Sequence, residues 1–98
     1  MKRIAWREGL TLPHDPNESE IYQWDLTDWL DGDTLVNPPQ ILADPGISAA
    51  LEYLAAQTVD VRISGGAVGT TYAVTVRATS TPRGRIADRT VRFDCHER

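Results

Sequence analysis

Apart from Ala73, polar and apolar residues alternate between Thr71 and Thr79. Tyr72, Val74, Val76 and Ala78 fall on one face, and Ala73, Thr75, Arg77 and Thr79 on the other. Alternation of period two in Tyr, Val and Thr predicts a half-buried strand. The same pattern precedes it, where Val59, Val61 and Ile63 alternate with Asp60, Arg62 and Ser64. A third strand is expected from Ile86 to Phe93. There Ile86 is out of phase with Val91 and Phe93, and a single bulge would turn all three inward. Upstream, Tyr22, Trp24 and Leu26 share one face of a first strand beginning at Glu20. Three consecutive antiparallel strands at 59–64, 70–79 and 86–93 make the core of a β-sandwich.

The segments between these strands are less regular. Residues 1–19 contain Pro13 and Pro16 around His14-Asp15, then the polar run Asn17, Glu18, Ser19. Proline cannot donate to a ladder, so this stretch is expected to be an arm or an extended edge. Its Ile4, Trp6, Leu10 and Leu12 are apolar enough to pack on the domain or on a neighbour. Asp31-Gly32 favours a turn, with Trp29-Leu30 plugging one end of the sandwich. Thr34-Leu35-Val36 starts another strand that Pro38-Pro39 interrupts, and Gln40 to Ala43 can resume it. Asp44-Pro45-Gly46 is a turn. From Ile47 to Gln57 two readings stay open. Leu51, Leu54 and Ala55 share a helical face among strong helix formers, yet the flanking signals are those of strand and turn. Thr81 to Arg85 reads as a hairpin loop, and Cys95 to Arg98 as a short exposed tail.

Composition narrows the classes. A chain of 98 residues, 41% hydrophobic and 24% charged, suits one ordinary globular domain. The net charge of −4 argues against nucleic acid as a partner. Charge is uneven: residues 1–50 carry three basic and nine acidic side chains, residues 51–98 seven and five. Such asymmetry suits head-to-tail contact between copies, or faces that are merely solvated. The single cysteine, Cys95, allows no intrachain disulfide and fits a reducing compartment. No apolar run is long enough for a membrane span, and Met1 to Glu8 lacks the core of a signal peptide.

Candidate chemistry is thin. Asp25, Asp28, Asp31 and Asp33 lack the spacing and the closing Glu of a calcium loop, and turn or capping roles fit them better. His14 and His96 lie at opposite ends of the chain. Cys95 and His96, being adjacent, would point to opposite faces of a strand, which does not suit a nucleophile–base pair or zinc. The Gly65-Gly66-Ala67-Val68-Gly69-Thr70 stretch has no following Lys and no following helix, so a turn at positive φ is favoured over a phosphate cradle. Tyr72, placed just after that turn, fits a tyrosine corner, its hydroxyl bonded back to upstream backbone. No catalytic, cofactor-binding or metal-binding residue is expected. Arg77, Arg83, Arg85, Arg89 and Arg92 concentrate on the last hairpin, either as edge protection or as a docking face for an acidic surface.

Two resemblances sharpen this picture. Val68 to Ala78 resembles the penultimate strand of fibronectin type III domains. The wider pattern joins Trp24 and Trp29-Leu30-Asp31-Gly32-Asp33-Thr34-Leu35 to Val59 through Tyr72, then to Arg83-Gly84-Arg85 and Asp88-Arg89-Thr90. Over residues 20–94 it resembles small structural proteins of tailed bacteriophages of the fibre–tail adaptor type. Departures from that pattern are Ala49 to Ala56, where Ser/Thr-rich segments are usual, and the long polar arm. The resemblance implies an all-β, immunoglobulin/fibronectin type III-like antiparallel sandwich of about seven strands at 20–98, preceded by an extended arm at 1–19. It implies a non-enzymatic virion protein, assembled in the host bacterial cytoplasm and present in multiple copies. Its partners would be portal, tail tube or adaptor, and tail-fibre proteins, with no nucleic acid, membrane or cofactor. Ile4, Trp6 and Leu10 of the arm, and Arg83 and Arg85 of the hairpin tip, are the expected contact residues. Trp24, Trp29, Tyr72, Val74, Val76 and Phe93 are expected in the core. The alternative is a carbohydrate-binding or adhesion module, which would need Trp6, Trp24 or Trp29 stacked on the surface.

Overall fold

The computed structural model describes residues 4–6 and 9–97, the side chain of Ile4 excepted. Among the described residues nine strands and one short helix follow in order. They are β1 (Ile4–Ala5), β2 (Thr11–His14), β3 (Ser19–Asp25), α1 (Thr27–Leu30), β4 (Thr34–Leu35), β5 (Gln40–Ala43), β6 (Ile47–Leu54), β7 (Thr58–Gly65), β8 (Thr71–Thr81) and β9 (Ile86–Cys95). One sheet runs β1-β3-β7-β6. The other runs β2-β9-β8, with β5 and β4 both lying along the far side of β8. The two sheets face each other as an all-β sandwich.

Strand β8 shows why. Tyr72, Val74, Val76, Ala78 and Ser80 are buried, while the residues between them are not. Every second side chain therefore leaves water, and each fully buried Val or Phe contributes about 1.5–3 kcal/mol. Val91, Phe93 and Cys95 of β9 do the same from the next strand. The opposite wall comes from Tyr22 and Trp24 of β3 and from Val59, Val61 and Ile63 of β7. Tyr22 meets Phe93 edge-on, with ring centroids 5.2 Å apart. The helix α1 delivers Leu30, fully buried, as the plug at one end, and Trp29 packs half-buried against the same core.

Three expectations change. The strand count rises above seven because the first nineteen residues add β1 and β2, and because Pro38-Pro39 divides one strand into β4 and β5. Segment 47–57, left open between helix and strand, forms the strand β6 over Ile47–Leu54 and a turn after it. Its Ile47, Ala49, Leu51 and Leu54 pair along β7, and a register shift between Leu51 and Tyr53 keeps Leu54 on the inner side. Helix propensity, a few tenths of a kcal/mol per residue, loses to that pairing and burial. Finally, the β8–β9 ladder runs from Thr71↔Asp94 to Thr79↔Ile86 without a shift. No bulge turns Ile86 inward, and it stands 63% exposed on the outer face.

The first strands stitch the sheets together. β1 lies parallel to β3, and β2 lies parallel to β9. Between them Trp6 enters the core at 3% exposure, edge-on to Tyr22 and tilted against Phe93. No helix among the described residues is long and apolar enough to cross a membrane.

Candidate functional site

The five expected contact residues sit on two separate groups of elements. Ile4 pairs through its backbone with Tyr22, while its side chain lies outside the described residues. Trp6 is core, and its indole N–H donates to the Arg89 carbonyl at 3.2 Å. Leu10 is half-buried against the same core. Arg83 and Arg85 are at the α1 end. Arg83 donates to the carbonyls of Leu30 at 2.6 Å and Asp31 at 2.8 Å, and its Nε lies 3.0 Å from Asp33 Oδ1. Arg85 donates to the carbonyls of Trp29 and Leu30, with its guanidinium 4.6 Å from the Trp29 ring centre. A short helix leaves its last carbonyls without partners, and these two arginines supply them.

The acidic run divides into separate tasks. Asp25 Oδ1 accepts from the amide and hydroxyl of Thr27, at 2.9 and 2.6 Å, and these bonds hold its carboxyl below the usual range. Asp33 is almost fully buried. Burial pushes its carboxyl up, but the Arg83 side chain, the Ser80 hydroxyl and the Arg83 amide together hold it below its ordinary value of 3.8. Asp31 sits at φ 47° as the left-handed residue ending α1. Among the described residues no three His, Cys, Asp or Glu side chains gather as metal ligands.

The opposite end of the sandwich holds the tyrosine corner. The Ala67 amide donates to the Tyr72 hydroxyl at 3.0 Å. Gly46 and Gly66 let backbone approach that ring. A Cβ on Gly46 would lie 2.9 Å from Tyr72 Cε1, and one on Gly66 would lie 2.7 Å from Cys95 Sγ, both at positive φ. Cys95 is therefore no exposed tail. It is fully buried, its amide donates to the Thr70 carbonyl, and its carbonyl accepts from Gly69. Burial, then the nearby Asp94 charge, pushes its thiol up, away from a reactive thiolate. His14, in register with Cys95 on β2, is fully buried edge-on to Phe93, and neither ring nitrogen has a hydrogen-bond partner. The parallel β2–β9 pairing that brings His14 there has no local signal beyond the alternation of Leu12 with His14.

The arginines expected to form one cluster serve three places. Arg83 and Arg85 brace α1. Arg89 lies 5.6 Å over the Trp24 ring. Arg77 and Arg92 stand on the outer face of the β8 sheet, where a feature appears that residue-by-residue reading missed. Across β8 and β9 the outward side chains satisfy each other. Arg77 makes two bonds to Asp88, at 2.8 and 3.0 Å. Thr75 and Thr90 share a hydroxyl–hydroxyl bond at 2.7 Å, and Thr71 reaches Asp94 at 3.4 Å. The Arg77 partnership lowers the Asp88 carboxyl, and Asp88 in turn raises the Arg77 guanidinium. Around these pairs stand Val36, Leu42 and Ile86, three of the five exposed large apolar side chains among the described residues. The signal was present in the Thr71, Thr75, Thr79 periodicity, but only the register shows which partner each residue meets.

The solution structure of amebosin is similar in fold, with a TM-score of 0.52 at 9% identity over 98% of this chain and 100% of that one. No curated protein matches the chain. The family model of the podophage GP4 fiber-tail adaptor protein gp77 matches residues 14–94, which include every strand from β3 to β8 and nearly all of β9. The chain belongs to that podophage fiber-tail adaptor family.

Proposed function

We propose that this chain is a non-enzymatic structural protein of the virion, present in several copies, that joins neck or portal proteins to tail fibres. The match to the fiber-tail adaptor family over residues 14–94 carries this reading. A sandwich in which Asp25 and Asp33 hold turns, Arg83 and Arg85 brace α1, and His14 and Cys95 lie in the core supports a role in contact rather than catalysis. We also read the sandwich as immunoglobulin-type. The orders β3-β7-β6 and β9-β8-β5 correspond to the B-E-D and G-F-C strands of that fold, and Tyr72 opens the strand that carries its tyrosine corner. On this reading the chain assembles in the host bacterial cytoplasm and works in the particle. The N-terminal segment around Ile4 and Leu10 and the Arg83–Arg85 tip contribute through the shape they impose. Trp6 does so from inside the core.

A carbohydrate-binding or adhesion module would display an aromatic platform. Trp6 and Trp24 are 3% and 5% exposed, and Trp29 lies under Arg85, so nothing favours that alternative. The adaptor reading is tested by growing phage with a nonsense mutation in this gene and imaging the particles. The expected particles package DNA but lack attached fibres, and adding purified chain restores attachment. Fibre-bearing particles without this chain would overturn the proposal.

A further inference from the structure

We infer that the outer face of the β2-β9-β8-β5 sheet is a pairing surface, and that its occupant is a second copy of this chain. The inference deepens the multi-copy adaptor reading and rests on it for its setting in the particle. Its geometry stands on four observations.

Exposed apolar side chains converge on this face. Leu42 pairs in register with Thr75 and stands 44% exposed. The amide of Val36 donates to the Thr79 carbonyl, and Ile86 pairs with Thr79 from the other side. Thr79 thus lies between two exposed apolar residues. Apolar groups gathered on one face mark an interaction site more than scattered ones do.

Three pairs of polar groups on the same face are already bonded to each other. Thr71 with Asp94, Thr75 with Thr90, and Arg77 with Asp88 account for three of the four outward positions of β8 from Thr71 to Arg77, the fourth being Ala73. Removing water from such pairs costs less than stripping isolated donors, because few bonds are left unmade.

The charge pattern is complementary to itself. A two-fold axis lying in the interface along the β8–β9 seam lays each β8 over the other copy's β9 at the same height. Arg77 then faces Asp88 of the second copy, and Asp88 faces its Arg77. The threonine pair faces its own counterpart, and Thr79 faces Ile86. Sheets packed face to face keep their strands within about 30° of each other, which suits this alignment. An isologous contact requires such self-complementarity.

The face is large enough for a weak dimer. Strands of 4, 10, 11 and 4 residues, at ~3.3 Å per residue and ~4.8 Å spacing, give on the order of 450 Å² of projected sheet, which suits the low end of specific interfaces and a dimer that forms only as concentration rises.

The test is sedimentation of the isolated full chain, with circular dichroism to confirm folding. The wild type is expected to dimerise as concentration rises. Arg77→Asp puts acidic groups opposite acidic groups across the axis, and Asp88→Arg does the same with basic ones, so each variant should be monomeric. The double variant R77D/D88R restores opposite charges in both copies and should dimerise again. Leu42→Glu, at an exposed position that leaves the fold intact, should also abolish the dimer. A wild type that stays monomeric at the highest soluble concentration overturns the inference. So does a dimer that R77D and L42E leave unchanged, or a folded double variant that fails to recover. A monomeric chain would leave the adaptor reading standing, whereas fibre-bearing particles without the chain would overturn that reading alone.

Discussion

The two faces of β8 and β9 are made by the same backbone and obey opposite rules. Inward, Val74, Val76, Ala78, Val91 and Phe93 are fully buried, with no polar atoms to satisfy. Outward, Thr71, Thr75 and Arg77 have found partners across the strand pair, and Leu42 and Ile86 remain in water. The inner face stabilises by exclusion of water and tolerates little change of volume. The outer face contributes little to the fold, since exposed ion pairs are worth about 0–1 kcal/mol. What it has is a fixed pattern of charge and shape. Folding and contact are thus separated by the two-residue period of a strand.

The largest effect that tests this separation is on the inner face. Phe93→Ala should cost about 3–5 kcal/mol, read as a drop in the urea midpoint, because Phe93 meets Trp6, His14 and Tyr22 at once. Next comes Gly66→Ala. The new Cβ meets Cys95 Sγ at 2.7 Å in a positive-φ conformation, so a loss of about 1–3 kcal/mol is expected, and Cys95→Ala in the same chain should recover part of it. Arg83→Ala removes the donor to the Asp31 carbonyl, one of several donors to the Leu30 carbonyl, and the ion-pair partner of buried Asp33, and should cost about 1–2 kcal/mol, with little change in the amide exchange of β8. Tyr72→Phe loses one bond to Ala67, about 0.5–1.5 kcal/mol. The smallest effect belongs outside: Thr75→Val should change stability by less than about 0.5 kcal/mol. If Thr75→Val destabilised as much as Tyr72→Phe, the separation of the faces would fail.

Acid sharpens the comparison. The Asp33, Asp25 and Asp88 carboxyls are held below their ordinary value of 3.8 in the folded chain. A lowered folded value means that the ionised form is favoured by folding. The stabilisation is present above 3.8 and is lost as pH falls through the folded values. Asp33→Asn should therefore flatten part of the decline in melting temperature below that pH. A decline of unchanged slope would remove Asp33 from the account.

Much of the inner face was legible in the sequence. The alternation of Tyr72, Val74 and Val76 gave the central strand, and the glycine turn before it predicted the corner that the Tyr72 hydroxyl closes. What escaped was set by partners distant in the chain. Trp6 reads locally as a docking residue because nothing nearby says that Tyr22 and Phe93 will enclose it. Ile86 looks like a core residue out of phase until the unbroken ladder places it beside Thr79. Arg83 and Arg85 look like a free tip until α1 brings its carbonyls to them. The outer face was the least legible, because its character lies in cross-strand pairs rather than in any one residue.

The most direct test is hydroxyl-radical footprinting of the chain as a dilute monomer in solution and within phage particles. Leu42 and Ile86 on the outer face, and Val68 on the turn at the far end, are all well exposed in the isolated chain. Labelling of Leu42 and Ile86 is expected to fall sharply in the particle while Val68 keeps more of its own. Equal labelling of Leu42 and Ile86 in both states would contradict it.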